Sequence, residues 1–197
     1  FNRYLLNYHE NILLYFDVLC KWTENLFCIT MHYMTIFDYN RFCNNGHIHE
    51  RRKLNMEHSK QLMEMVAKYE GLINDTADHI WKNPETGYRE WKTSAYMEEH
   101  FEALGYTLVK AGNIPGFYAD LDTGKPGPKI AILGELDSLI VGNHPDADPE
   151  THAVHACGHN AQCAILLGVA AAMKEPGALD GLCGSIRFMA VPAEELI

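Results

Sequence analysis

Two imidazoles and a thiol lie within the six-residue segment His155-Ala156-Cys157-Gly158-His159-Asn160. A single glycine separates Cys157 from His159 and lets the backbone bend, so that both side chains can reach a common point. Glu194 and Glu195 follow the next apolar run of the sequence. One carboxylate can complete a divalent-metal shell and a second can act as a base, so these residue types predict a metal site.

Two further carboxylates, Glu135 and Asp137, come shortly after the apolar run Ile130–Leu133. Because the carboxyl ends of parallel strands meet at one edge of a sheet, we expect them to lie near Cys157 and His159. Thiolate, imidazole and carboxylate together form a mixed ligand set that suits zinc, manganese or cobalt.

Other interpretations of these residues stay open at this point. A Cys-x-His pair alone is more often a buried thiol beside a solvated histidine, and a Glu-Glu pair alone is more often surface charge. A structural zinc site in a binding protein would need four closed ligands and would leave Glu194 without a purpose. A cysteine nucleophile would be Cys157 activated by His155 or His159. Metal analysis and an open coordination position would distinguish these alternatives.

The helices that must position these residues are indicated by apolar spacing. Apolar residues recur every three or four positions from His58 to Trp81, which predicts one long helix ended by Asn83-Pro84. A second helix is predicted to begin near Thr93 or Ser94 and to end at Gly105, a residue suited to a left-handed cap.

The period changes after the second helix. Tyr106–Lys110 and Phe117–Leu121 are short β-prone runs. The segment 122–128 is dense in turn-forming residues, so we expect a hairpin between Phe117–Leu121 and the strand that follows Lys129.

Ile130–Leu133 and Ser185–Val191 are continuous apolar runs, which are typical of strands buried on both faces of a sheet. Ala161–Met173 between them is predicted to form a helix of small and apolar residues that allows close approach. Strand, helix and strand form a βαβ unit, which places the two strands next to each other or nearly so. We therefore predict an α/β fold with a parallel or mixed sheet covered by helices.

Residues 1–55 differ in composition from the rest of the chain. They contain 11 of the 21 aromatic residues but no alanine and no proline, which is unusual for a folded domain. We interpret 1–55 as a non-native or weakly ordered extension and 56–197 as the domain. The chain also starts at Phe1 and stops at Ile197 within a predicted site loop, so we expect a fragment.

Charge and hydropathy exclude several function classes. The net charge is −10, and the acidic excess lies entirely after Met56, so no basic patch for nucleic acid is present. The apolar run Ile12–Cys20 is too short and too charged to span a bilayer, and no membrane partner is expected. Cys157, Cys163 and Cys183 lack disulfide-like spacing, which favours a cytoplasmic location.

Four sequence blocks, in this order and spacing, resemble the signatures of the di-metal amidohydrolase and peptidase family that includes aminoacylases, glutamate carboxypeptidases and p-aminobenzoyl-glutamate hydrolase. The blocks are His79 with Asn83–Tyr88 and Glu90, Gly134–Leu139, His155–Asn160 and Val191–Glu195. The resemblance covers about Met56 to Ile197. It implies the N-terminal part of a three-layer helix-sheet-helix catalytic domain of the zinc-peptidase type.

The resemblance also implies roles for individual residues. Cys157, His159 and Glu195 would bind metal, as part of a site for two divalent ions (Zn²⁺, Mn²⁺ or Co²⁺). Glu194 would be the general base that takes a proton from metal-bound water and returns it to the leaving amine, and Asp137 would be the catalytic aspartate beside the metals. Glu135 stands where some branches of the family have a ligating histidine.

The reaction implied by the resemblance is hydrolysis of the amide bond of an N-acyl amino acid, aminobenzoyl-glutamate or dipeptide-like small molecule. Asn160 replaces the aspartate of many members, as in the aminobenzoyl-glutamate branch. The remaining histidine ligands and the lid and dimerisation domain would lie after Ile197. A homodimer is implied for the full-length protein, whereas the fragment alone would be inactive; the alternative is a structural zinc-binding or inactive fragment without turnover.

Overall fold

The computed structural model describes residues 48–195, with side chains from residue 57 onward. The elements of these residues, in chain order, are α1 Ile48–Ala67, α2 Glu70–Trp81, α3 Trp91–Ala103, β1 Val109–Lys110, β2 Phe117–Asp122, β3 Lys129–Glu135, β4 Leu139–Ile140, β5 Ala153–Val154, α4 His159–Ala172 and β6 Ser185–Val191. The predicted α/β class is confirmed.

A four-stranded mixed sheet has the strand order β1-β2-β6-β3. Strands β3 and β6 are parallel neighbours, with Ile130 opposite Ile186 and Glu135 opposite Val191. Helix α4 connects them, so the predicted βαβ unit and the adjacency of its strands are confirmed. Strands β4 and β5 form a separate antiparallel pair.

The predicted hairpin between β2 and the strand after Lys129 is wrong, because β6 lies between β2 and β3 and pairs with both. The turn-rich segment instead surrounds the start of β6. The N–H of Gly184 donates to the carbonyl of Lys125 at 2.8 Å, and the N–H of Ser185 donates to that of Pro128 at 3.0 Å. A Cβ at Gly184 would overlap the Pro128 carbonyl oxygen, so this close approach requires glycine.

The core lies between the sheet and the helices, and α4 contacts all three other helices as well as β3 and β6. The ring of Phe101 on α3 packs against those of Tyr106, Phe117 and Phe188 at centroid distances of 5.4, 5.1 and 6.0 Å. Gly168 of α4 lies directly against Ile73 of α2. The small residues predicted to allow close helix approach therefore do so at this position.

The prediction that Ile130–Leu133 is buried on both faces is wrong. Burial alternates along β3, and Leu133 is 51% exposed. Strand β3 is an edge strand of the described sheet, and the hydrophobic core lies on the sheet face that α4 covers. A continuous apolar run therefore does not reveal which of its faces is covered.

The predicted single helix from His58 to Trp81 is two helices, α1 and α2. The chain turns at Lys68 and Tyr69, whose side chains both contact the carboxylate of Glu175 at 2.7 Å. Apolar spacing continues across this break, so periodicity alone does not show it. The left-handed cap at Gly105 is confirmed by its φ of 79°, whereas α3 begins at Trp91, before the predicted Thr93 or Ser94.

Most of the predicted extension, residues 1–55, lies outside the described residues, and its boundary at Met56 stays a prediction. Helix α1 is continuous through that position. Among the helices that the structure describes, none is both long and apolar enough to cross a membrane.

Candidate metal centre

Strands β3 and β6 end side by side and deliver two loops to the same edge of the sheet. Glu135 and Val191, the last residues of the two strands, are register partners. Beyond them, the N–H of Leu136 donates to the carbonyl of Val191 at 2.9 Å, and the N–H of Glu195 donates to Asp137 Oδ2 at 2.8 Å. The predicted convergence of carboxylates at one sheet edge is therefore present.

Helix α4 begins at His159, directly after Gly158, which has a φ of 100°. This bend brings Cys157 and His159 together with Glu195, and the three residues each offer one ligand atom within 4.8 Å of the others. A second group with the same spacing joins His159 to Glu135 and Glu194. The structure thus places all the residues predicted as ligands or base around one imidazole.

The orientation of His159 is set by the loop after β3. Its Nδ1 lies 2.9 Å from the backbone carbonyl of Asp137, which can only accept a hydrogen bond, so Nδ1 carries a proton. Nε2 then faces Glu135 Oε2 at 2.9 Å and Glu194 Oε2 at 3.8 Å. Burial opposes charge on this ring, yet the Asp137 hydrogen bonds and the charge of Glu135 raise the pKa of His159.

Negative charge is concentrated around Cys157. A hydrogen bond to Glu195, partial burial and the charges of Glu195, Glu194 and Glu135 raise the pKa of the Cys157 thiol to about 11. A thiol with this pKa is protonated at neutral pH and is a poor nucleophile. The geometry therefore disfavours the cysteine-nucleophile alternative, while a divalent cation would reverse the effect and favour the thiolate.

Asp137 is fully buried and contacts both halves of the site. Burial opposes its charge, but hydrogen bonds from His159 and from the Glu195 N–H lower the pKa of Asp137. Its Oδ1 has no hydrogen-bond partner among the described residues, although His159 Nδ1 is 3.3 Å away. Burial and the charge of Glu135 raise the pKa of Glu194, whose side chain is the most exposed of the site carboxylates.

Sequence reasoning missed two contacts. Gln162 lies one turn after His159 on α4, and its Nε2 donates to Glu135 Oε2 at 3.0 Å. Glu90 entered only through its resemblance to a sequence block, but its buried Oε1 accepts the N–H of Ala193 at 2.9 Å. The helical spacing of Gln162 from His159 could have indicated the first contact. No local pattern indicates the second.

Other predicted residues have different surroundings. His79 stacks on Tyr96 at a centroid distance of 4.0 Å and is in neither potential ligand group of the described residues. Asn160 donates to the carbonyl of Ala77 at 3.2 Å and so connects α4 to α2. The imidazole of His155 is 1% exposed, neither ring nitrogen has a hydrogen-bond partner in the described part of the chain, and burial lowers the pKa of His155 to about 4.

The cysteines follow the sequence prediction in part. Cys163 and Cys183 are buried, as their apolar surroundings predicted. Cys183 is disulfide-bonded, so the expectation from spacing that none of these cysteines forms a disulfide is wrong. Spacing in sequence does not report which chain segments meet in space. The cytoplasmic location rested on that expectation and stays a prediction.

No family model matches the chain. Over 129 residues, or 61% of this chain, it is 34% identical to a p-aminobenzoyl-glutamate hydrolase protein of Escherichia coli K12. Over 120 residues, or 59% of this chain, it is 32% identical to the N-acetyl-L-cysteine deacetylase of Bacillus subtilis. A crystal structure of a dinuclear metal binding peptidase from the M20 family, from Bacillus subtilis, aligns with 67% of this chain at a TM-score of 0.55 and 25% identity.

These relatives are much longer than the matched segment. The chain spans 26% and 28% of the two curated relatives and 36% of the solved structure. The resemblance to the amidohydrolase and peptidase family is confirmed, and the chain covers only part of the domain.

Proposed function

We propose, from the similarity of this chain to M20 family amidohydrolases and peptidases, that it carries part of the active site of a metal-dependent hydrolase. The substrate is the amide bond of an N-acyl amino acid, aminobenzoyl-glutamate or dipeptide-like molecule. The observation that carries this proposal is the meeting of Cys157, His159 and Glu195, whose ligand atoms lie within 4.8 Å of one another.

The donor set fits a divalent cation. Glu135, Glu194 and Glu195 surround His159 and Cys157, and their combined charge opposes ionisation of the thiol. A cation held by thiolate, imidazole and carboxylate would offset that charge. The relative described as a dinuclear metal binding peptidase supports two ions. Cys157, His159 and Glu195 would hold one, and Glu135 and Glu194 border a second position that shares His159.

A divalent ion bound in this site would lower the pKa of a water molecule and polarise the amide carbonyl. Glu194 accepts the proton of the attacking water and transfers it to the leaving amine. Its raised pKa suits both transfers, because a group that ionises closer to neutral pH can act as base and then as acid. Asp137 orients two ligands: its backbone carbonyl fixes His159, and its carboxylate receives the N–H of Glu195.

The relatives' names mention an aminobenzoyl-glutamate and an N-acetylated amino acid, and both are small amides. Small amides are therefore the substrate class that we propose for the full-length protein. A homodimer and a cytoplasmic location are further parts of this proposal.

The test is metal content and hydrolysis in the full-length protein. Purified protein is incubated with Zn²⁺, Mn²⁺ or Co²⁺, desalted, analysed by mass spectrometry for metal, and assayed with aminobenzoyl-glutamate, N-acyl amino acids and dipeptides. We expect bound metal and release of the amine, both reduced in His159→Ala. A protein that retains no metal, or retains metal without cleaving any of these amides, would contradict the proposed function.

A further inference from the structure

Glu90 is a buried carboxylate that the proposed mechanism does not use. It precedes α3, and its side chain is 0% exposed. Oε1 accepts the N–H of Ala193 at 2.9 Å, whereas Oε2 has no hydrogen-bond partner among the described residues. A buried carboxylate opposes folding unless its contacts compensate, so this position is not explained by core packing.

The partner of Glu90 lies in the loop that carries the two site glutamates. Ala193 has a φ of 58°, a left-handed conformation that residues other than glycine rarely adopt. Two positions later, the N–H of Glu195 donates to the buried carboxylate of Asp137 at 2.8 Å. The N–H of Glu194, between them, donates to none of the described residues. Two buried carboxylates thus hold alternate N–H groups of one loop.

The conformation of this loop decides where each glutamate points. Glu195 joins the group formed by Cys157 and His159, whereas Glu194 joins the group formed by Glu135 and His159. A change of the backbone at Ala193 would alter both positions, because a peptide rotation there redirects the residues that follow.

We infer that Glu90 is a positioning residue for the metal centre: its carboxylate holds Ala193 in the left-handed conformation and so directs Glu195 toward the ligand cluster. This inference rests on the proposed function for its link to catalysis. The Glu90–Ala193 contact joins segments 103 residues apart and belongs to neither the ligand set nor the base.

Two variants of similar size separate the hydrogen bond from side-chain volume. Glu90→Met fills the space but cannot accept the Ala193 N–H, while Glu90→Gln retains an acceptor oxygen. Loss of a group that orients a ligand typically weakens metal binding by about 10- to 100-fold, and we expect a loss of that order in Zn²⁺ affinity for Glu90→Met. Glu90→Gln should restore affinity to within about threefold of the parent. Glu99→Met, on the exposed side of α3, is the matched control and should be unchanged.

Affinity is measured by competition between the protein and a chromophoric chelator for Zn²⁺, on samples whose folding is verified by circular dichroism. The Co²⁺-substituted protein supplies a second measurement, because its visible spectrum reports the ligand geometry. We expect a changed Co²⁺ spectrum for Glu90→Met and the parent spectrum for Glu90→Gln. Folded Glu90→Met with the parent's Zn²⁺ affinity would overturn the inference, as would an equal loss of affinity in Glu90→Gln.

Amide exchange in the unmodified protein tests the same contact without any variant, and so applies even where Glu90→Met does not fold. The N–H groups of Ala193 and Glu195 should exchange slowly, and that of Glu194 between them should exchange fast. Fast exchange at Ala193 would overturn the inference. If the parent binds Zn²⁺ but cleaves no amide, the proposed function fails, while the affinity and exchange measurements still decide the role of Glu90.

Discussion

The imidazole Nδ1 of His159 lies 2.9 Å from the backbone carbonyl oxygen of Asp137 and 3.3 Å from its carboxylate Oδ1. The carbonyl fixes the tautomer, so the lone pair of Nε2 in the neutral ring faces the cluster of glutamates. A histidine oriented in this way is prepared to bind a cation, because the ring does not need to rotate or exchange its proton position.

Removal of the Asp137 carboxylate should weaken metal binding without removing a ligand. Asp137→Ala takes away the acceptor of the Glu195 N–H, and we expect Zn²⁺ affinity to fall by about 10- to 100-fold. Asp137→Asn retains an oxygen that can accept this N–H and should lose less. Chelator competition measures both values. Equal affinity in folded Asp137→Ala and the parent would show that this contact does not orient Glu195.

Glu194 and Glu195 should fail differently in the full-length protein. Glu195→Gln should weaken metal binding, because a neutral amide is a poorer ligand than a carboxylate. Glu194→Gln should keep metal and lower turnover by about 100- to 10,000-fold, because an amide cannot accept the proton of water. Metal content by mass spectrometry and amide hydrolysis are measured on the same samples. If both variants keep metal and rate, the pair is surface charge only.

Cys157 should react slowly with alkylating reagents in the metal-free protein despite its exposure. Its pKa of about 11 leaves little thiolate at neutral pH, so the iodoacetamide rate should rise with pH until about pH 11. Buried Cys163 is the internal control and should stay unmodified. Peptide mass spectrometry over a pH series gives the rate profile. Rapid alkylation that is already maximal at pH 7 would restore the cysteine-nucleophile alternative.

Gly168→Ala should destabilise the chain through a collision with Ile73. The new Cβ would lie 2.5 Å from both Cγ1 and Cδ1 of Ile73. Overpacking of this kind costs about 1–3 kcal/mol, which exceeds the roughly 1 kcal/mol that alanine gains over glycine in a helix. In an Ile73→Ala background the collision is absent, so the same substitution should become stabilising. Urea unfolding of the four proteins measures this change of sign, and a stabilising effect in both backgrounds would refute the close contact.

Acid stability should depend on Asp120. Arg187 donates two hydrogen bonds of 2.7 Å to its carboxylate, and Lys129 adds another at 3.0 Å, which together hold the pKa of Asp120 well below its usual range. Because the folded pKa lies below the unfolded value of about 3.9, the stabilisation is present above that pH and is lost as pH falls below it.

Asp120→Asn should therefore be less stable than the parent at pH 6, and the difference should shrink as pH falls from about 4 to 2. The exposed Asp75→Asn on α2 is the control and should parallel the parent. Thermal unfolding followed by circular dichroism gives the profiles. A difference that grows as the pH falls would contradict the sign of this shift.

The local chemistry of the site could be predicted from sequence because it depends on short spacings. One glycine between Cys157 and His159 is enough to bring both to one point, and adjacent glutamates after a strand must reach the same edge. The pairing of β3 with β6 was also predictable, because a single helix connects two apolar strands and such crossovers join near neighbours.

Tertiary structure decided what no local pattern contains. The insertion of β6 between β2 and β3 replaced the expected hairpin, because the pairing energy of a strand depends on segments distant in sequence. Exposure of Leu133 depends on which face of the sheet the helices cover, and an apolar run does not encode that choice. The contact between Glu90 and Ala193 joins residues 103 positions apart, so only the folded chain could bring a buried carboxylate to the loop that carries Glu194 and Glu195.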